Sequence, residues 1–113
     1  MLTIFYKQLL IYKTETGLEP FCEWLTSFGK DPTVKARIMA RLDRLERGHY
    51  GMYKKLGTGL LELKLNFGPG YRIYFTKRKN RIILICGGNK STQIKDIAIA
   101  KKYWQEIKGE IYD

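Results

Sequence analysis

A chain of 113 residues with 44% hydrophobic content can bury a core as one domain, 1–113, without disulfides or structural metal. Its two cysteines, Cys22 and Cys86, stand far apart with no Cys-x-x-Cys spacing; this argues against a zinc site and for buried thiols in a reducing compartment, and no cofactor is expected. No apolar run nears the roughly 20 residues of a membrane span, and MLTIFYKQLLIYK lacks a signal-peptide pattern, so a cytoplasmic protein is expected. The formal net charge of +10 is concentrated, with ten Lys/Arg against Glu62 alone in residues 50–95, which favours a polyanionic partner, nucleic acid first, over charge kept for solubility.

Residues 2–13 are rich in β-formers, Ile4, Phe5, Tyr6, Ile11 and Tyr12 among them, and predict one strand, closed by Gly17. Glu19-Pro20 starts a helix, because the first helical position needs no N–H. Phe21, Trp24, Leu25 and Phe28 follow at i, i+3, i+4 and i+7, one apolar stripe, and Gly29 stops it. Asp31-Pro32 caps and opens a second helix running to about Arg47, with Val34, Ile38, Leu42 and Leu45 as its buried stripe and Gly48 as the left-handed residue after it. Arg37, Arg41, Arg44 and Arg47 flank that stripe, either as solvated edge residues or as contacts for nucleic acid or a partner.

Residues 48–59, GHYGMYKKLGTG, are too glycine-rich for a regular element and predict a mobile linker. It holds His49, the single histidine, which is either a proton-transfer group or an ordinary surface or cap residue. Lys54 and Lys55 either steer phosphates or form a solvated pair.

The stretch 59–75, GLLELKLNFGPGYRIYF, reads as two strands joined by a Gly-Pro-Gly turn. Leu61, Leu63 and Leu65 alternate with Glu62, Lys64 and Asn66; Tyr71, Ile73 and Phe75 alternate with Arg72, Tyr74 and Thr76. Strand side chains point alternately to opposite faces, so Lys64, Arg72 and Tyr74 share a cationic surface while the apolar set builds a core.

Lys77-Arg78-Lys79-Asn80 forms a basic turn into residues 81–86, RIILIC, a run apolar on both faces as in a central strand. The loop 87–92, GGNKST, leads into a helix capped by Ser91 or Thr92, along which Ile94, Ile97, Ala100, Trp104 and Ile107 recur at helical spacing. Loop and helix start together either receive an anion through backbone N–H groups and Lys90 or make a plain connection. Residues 109–113 look frayed. The order strand, helix, helix, strand, strand, strand, helix implies an α+β fold: an N-terminal strand, a helical hairpin, a mostly antiparallel sheet of three to four strands and a C-terminal helix.

Gly59-Leu-Leu-Glu-Leu-Lys64, Gly70-Tyr-Arg72-Ile-Tyr74-Phe75 and Gly88-Asn-Lys90-Ser-Thr-Gln93 with Asp96, Ile97 and Ala100 together resemble the RelE/ParE toxin superfamily, in its HigB-like, addiction-module killer branch. The resemblance spans about Pro20 to Ile107 and implies a RelE-like fold. It further implies a bacterial type II toxin that cuts mRNA on the ribosome without a metal and is silenced by a small antitoxin, of helix-turn-helix, HigA-like type. The alternative within the superfamily is a ParE-like inhibitor that binds DNA gyrase without catalysis.

RNA cleavage of that kind removes a proton from a ribose 2'-OH, stabilises charge on the phosphoryl group and protonates the leaving 5'-oxygen. Lys64, Arg72 and Lys90 match basic positions of the family pattern. Arg72 is the first choice, since its planar fork holds phosphate oxygens in two directions, and as a strand-face residue it is expected to contribute little to the core. Lys64 serves as phosphate ligand or general base, and Lys90 assists from the loop. Lys54, Lys55, Lys77, Arg78, Lys79 and Lys95 extend the RNA-binding set, with Gln93 as a polar group at the helix start and Tyr74 either stacking on a base or packing under the last helix. Relatives with well-formed sites often carry a further basic residue where this chain has Glu62, and an aromatic, histidine or acidic side chain near the last helix, where it has Gln93, Lys95 and Asp96. Glu62 is expected to pair with a neighbouring cation.

Overall fold

The polar pair Lys7-Gln8 splits the first apolar stretch into two strands, β1 (Leu2–Tyr6) and β2 (Leu9–Tyr12), in a computed structural model that describes residues 1–57 and 59–110. A single strand was expected over 2–13; instead Lys7 adopts φ 52° and the chain folds back, pairing Leu2 with Tyr12 and Tyr6 with Leu9. Two polar residues are enough for a hairpin turn.

Helices α1 (Pro20–Thr26) and α2 (Pro32–Glu46) follow, each with proline in its first turn. The Asp31 side chain accepts from the N–H groups of Thr33 and Val34, and Gly48, at φ 90°, takes the left-handed position after α2. The expected linker 48–59 contains a third strand, β3 (Tyr53–Lys55), in place of an irregular loop. Its three residues have no apolar periodicity to reveal it; they are ordered by pairing with β4 (Leu60–Lys64), Tyr53 opposite Leu63 and Lys55 opposite Leu61. Then come β5 (Arg72–Arg78), β6 (Arg81–Gly88), a 3-10 turn (Lys90–Thr92) and α3 (Gln93–Glu110). Of the expected frayed end, Gly109 and Glu110 are helical and residues 111–113 lie outside the described residues.

Among the described residues the strands make one six-stranded sheet in the order β1-β2-β6-β5-β4-β3, parallel only between β2 and β6. The fold is α+β and mostly antiparallel as expected, with six strands rather than three or four. The difference is the N-terminal hairpin at one edge and β3 at the other.

Residues 81–86 run through the middle of the sheet, and their two-faced apolarity follows from cover on both sides. On one face Leu9, Ile11, Leu63, Ile73, Phe75, Ile82 and Leu84 pack with Phe21 of α1 and Ile38, Leu42 and Leu45 of α2. On the other, Tyr12, Leu60, Tyr74, Ile83, Ile85 and Cys86 pack with Ala100, Trp104 and Ile107 of α3. Ile94, expected in that stripe, is 90% exposed; it sits at the start of α3, ahead of the turns that lie on the sheet. The end of β6 is narrow by necessity. A Cβ on Gly87 would overlap the Trp24 ring of α1, and one on Gly88 would overlap the Asp96 carboxylate of α3.

Candidate functional site

Antiparallel pairing of β4 with β5 sets Lys64 opposite Arg72 and Glu62 opposite Tyr74, and β6 adds Gly88 opposite Arg72. Lys64, Arg72 and Tyr74 thus share the face that the alternation assigns them, the one that α3 covers. That cover changes its character. Lys64 is exposed, but Arg72 is only 7% exposed and Tyr74 and Glu62 not at all.

Glu62 is the hub of the buried part. Its Oε2 accepts from Tyr74 Oη at 3.0 Å and from Gln93 Nε2 at 2.9 Å, and lies 3.8 Å from Arg72 Nε. It pairs with a neighbouring cation, as expected. Its second oxygen, Oε1, is buried without a hydrogen-bond partner. Burial, then the Glu62 carboxylate, pushes the Tyr74 phenol well above its ordinary range, so Tyr74 stays protonated and serves as a donor. With its ring enclosed, Tyr74 offers no stacking face to a base; the packed position beneath α3 is the one it occupies.

The turn before β5 carries the third cation into place. Gly68 and Gly70 take φ 60° and 76°, and Arg72 Nη1 donates to the Gly70 carbonyl at 2.7 Å. A Cβ on Gly70 would stand 3.2 Å from Arg72 Nη1 and 3.4 Å from Lys90 Cβ, so this glycine is wedged between the two cationic residues. The Lys90 N–H donates to the Pro69 carbonyl. Lys90 itself is exposed at the head of the 3-10 turn.

The turn that leads into the last helix uses several of its own backbone donors. Asn89 caps the 3-10 turn that precedes α3, its side chain accepting from the N–H groups of Ser91 and Thr92. Thr92 completes a reciprocal capping box and also donates to Asp96. With the Lys90 N–H on Pro69, three N–H groups of this segment are already satisfied.

Lys64, Arg72 and Lys90 are therefore brought together, with Gln93, Glu62 and Tyr74 beneath them. Lys54, opposite Glu62, lies on the same side of the sheet at the exposed edge, while Lys55 points the other way. Lys77, Arg78 and Lys79 stand apart: Arg72 and Arg78 are the two ends of β5, about 20 Å apart along the strand. There Lys77 lies over the Tyr50 ring and Arg78 over Trp104. Lys95 is exposed on the first turn of α3. His49 is exposed beyond the end of α2, away from this cluster in the chain and accepting from Arg41 through its carbonyl at 3.2 Å. Glu62 as an organising residue was legible only in part: its apolar neighbours Leu61 and Leu63 marked the strand, and nothing local foretold Gln93 as its donor.

Among the described residues no helix is long and apolar enough to cross a membrane. No solved structure matches the chain. An uncharacterized protein of Haemophilus influenzae is 43% identical over 88 residues, covering 77% of this chain and 88% of that protein. Residues 23–107 match the family described as phage derived protein Gp49-like (DUF891), and that span contains all of Glu62, Lys64, Arg72, Lys90 and Gln93. The chain belongs to this Gp49-like family, a RelE/toxin-like family of toxin–antitoxin systems.

Proposed function

We propose that the chain is the toxin of a bacterial type II toxin–antitoxin system, of HigB-like type, and acts as a metal-independent, ribosome-dependent mRNA endoribonuclease in the cytoplasm. The observation that carries this reading is the convergence of Lys64, Arg72 and Lys90 from two strands and a loop, within the segment that holds ten cations and one acid. Two exposed lysines flanking a buried guanidinium suit a phosphate group, whose non-bridging oxygens gain charge as the 2'-oxygen bonds to phosphorus and the bond to the 5'-oxygen breaks. Lys64 and Lys90 would hold those oxygens, with the Arg72 charge behind them. Glu62 is enclosed and acts on Arg72 and Gln93, orienting them. Lys54 and Lys95 would extend the RNA path over the same side. The partners on this reading are the ribosome with its mRNA and a small helix-turn-helix antitoxin.

One observation favours the second reading, a ParE-like inhibitor of DNA gyrase: Glu62 occupies a position where relatives with well-formed sites often hold a base, and it is buried. Mapping mRNA 5' ends after brief expression separates the two. Cuts within translated codons are expected; intact mRNA with gyrase-linked DNA damage would select the inhibitor.

A further inference from the structure

On the α2 side of the sheet, α2, the segment 49–52 and residues 64–67 at the end of β4 enclose an open groove of about 410 Å³, within the roughly 300–1,000 Å³ typical of ligand sites. Arg37, Arg41, Arg44, His49 and Phe67 are among the residues that line it, and among the described residues no carboxylate does. Its walls are fixed. Arg41 donates to the carbonyls of His49 and Tyr50, and Gly51 leaves no room for a Cβ beside that guanidinium. Arg37, exposed, holds its guanidinium 4.0 Å from the centroid of the Phe67 ring. A guanidinium backed by an aromatic ring is a ready stacking platform.

We infer that this groove is a second nucleic-acid subsite, taking one unpaired nucleotide of single-stranded RNA with its base on the Arg37 plane and its phosphate on Arg44. The inference rests on the reading of the chain as acting on RNA. Residues 64–67 at the end of β4 border the groove, and Lys64 there stands opposite Arg72 on the other face, so one strand of RNA would pass from the cationic cluster around the end of β4 into the groove. Arg37 and Arg44 lie two helical turns apart on one side of α2, about 10 Å, which spaces a base contact from a phosphate contact. An acidic protein segment would use the same cations but would gain nothing from the planar stack, so the geometry favours a nucleotide.

The test is binding of a fluorescent single-stranded 2'-O-methyl oligonucleotide, which lacks the attacking hydroxyl, measured by anisotropy across salt concentrations. Arg37→Lys keeps the charge and removes the plane; it is expected to weaken binding about tenfold with an unchanged salt slope. Arg44→Gln is expected to weaken binding and lower the slope by about 0.7, the value for one phosphate of a single strand. Wild-type affinity in both variants, with loss in Lys90→Gln, would overturn the groove and leave the RNA reading standing. No binding by the wild-type chain would also overturn it, and the mRNA end map then judges the ribonuclease reading separately. Stronger binding of a polyglutamate peptide than of the oligonucleotide, lost in Arg44→Gln, would reassign the groove to an acidic protein.

Discussion

Gln93 donates from Nε2 to Glu62 Oε2 across 2.9 Å, fastening the first turn of α3 to β4 through a carboxylate with no exposure. Tyr74 donates to the same oxygen, so two elements converge on one acceptor. Glu62→Ala would leave the buried Tyr74 hydroxyl and the half-buried Gln93 amide unpaired and Arg72 without its counter-charge. A loss of about 3 kcal/mol is expected in urea unfolding, with the denaturant slope unchanged. Glu62→Gln keeps the shape and one acceptor oxygen and should lose less. Equal stability of wild type and the alanine variant would show that Glu62 is no hub.

Arg72 is a structural residue as well as a candidate phosphate ligand, contrary to the expectation for a strand-face arginine. It is 7% exposed and sits between Glu62 and the Gly70 carbonyl. Arg72→Ala should therefore lower stability by about 2–3 kcal/mol, which would confound a simple toxicity assay. Arg72→Lys retains the charge beside Glu62 and loses the fork. Growth arrest should fall at least about tenfold in that variant, with a thermal midpoint within a few degrees of wild type; full toxicity of a folded Arg72→Lys protein would remove Arg72 from the site.

The Trp24 ring occupies the space a Cβ would take at Gly87. Gly87→Ala should cost about 1–3 kcal/mol by overpacking. Adding Trp24→Leu should recover part of that loss, because the two changes act on one contact and are not additive. Additive effects in calorimetry would mean that the ring swings aside freely.

Burial, and secondarily Asp96, pushes the Cys86 thiol up from 9.0 to about 12. The folded chain then holds a proton that the unfolded chain releases above pH 9, so this contribution to stability is complete below that pH and is lost as pH rises towards 12. The slope is about 1.4 kcal/mol per pH unit in that window. Tyr74, raised by burial and by Glu62, adds a loss of the same sign above pH 10. The urea midpoint should be flat from pH 7 to 8.5 and fall beyond 9, with a shallower fall in Cys86→Ala. At pH 8 an alkylating reagent should label the half-buried Cys22 in the native protein and Cys86 only in denaturant; labelling of Cys86 first would contradict its enclosure.

What the sequence determined by itself is what depends on neighbours in the chain. The period-2 alternation of 60–65 and 71–76 put Lys64, Arg72 and Tyr74 on one face, Asp31-Pro32 and Gly48 bounded α2, and the apolar run 82–86 marked the central strand. Tertiary structure decided what lay on that face. Burial depends on which element covers a strand, and α3, which begins 15 residues after β5 ends, encloses Tyr74 and Glu62 and leaves Lys64 in solvent. The same holds for β3, which exists only because β4 offers it hydrogen bonds, and for Lys90, which meets Arg72 through the bare backbone of Gly70. A cationic surface read from alternation is thus a pair of exposed lysines over a buried Arg72–Glu62–Gln93 network, since pairing and packing partners distant in the chain leave no periodic trace.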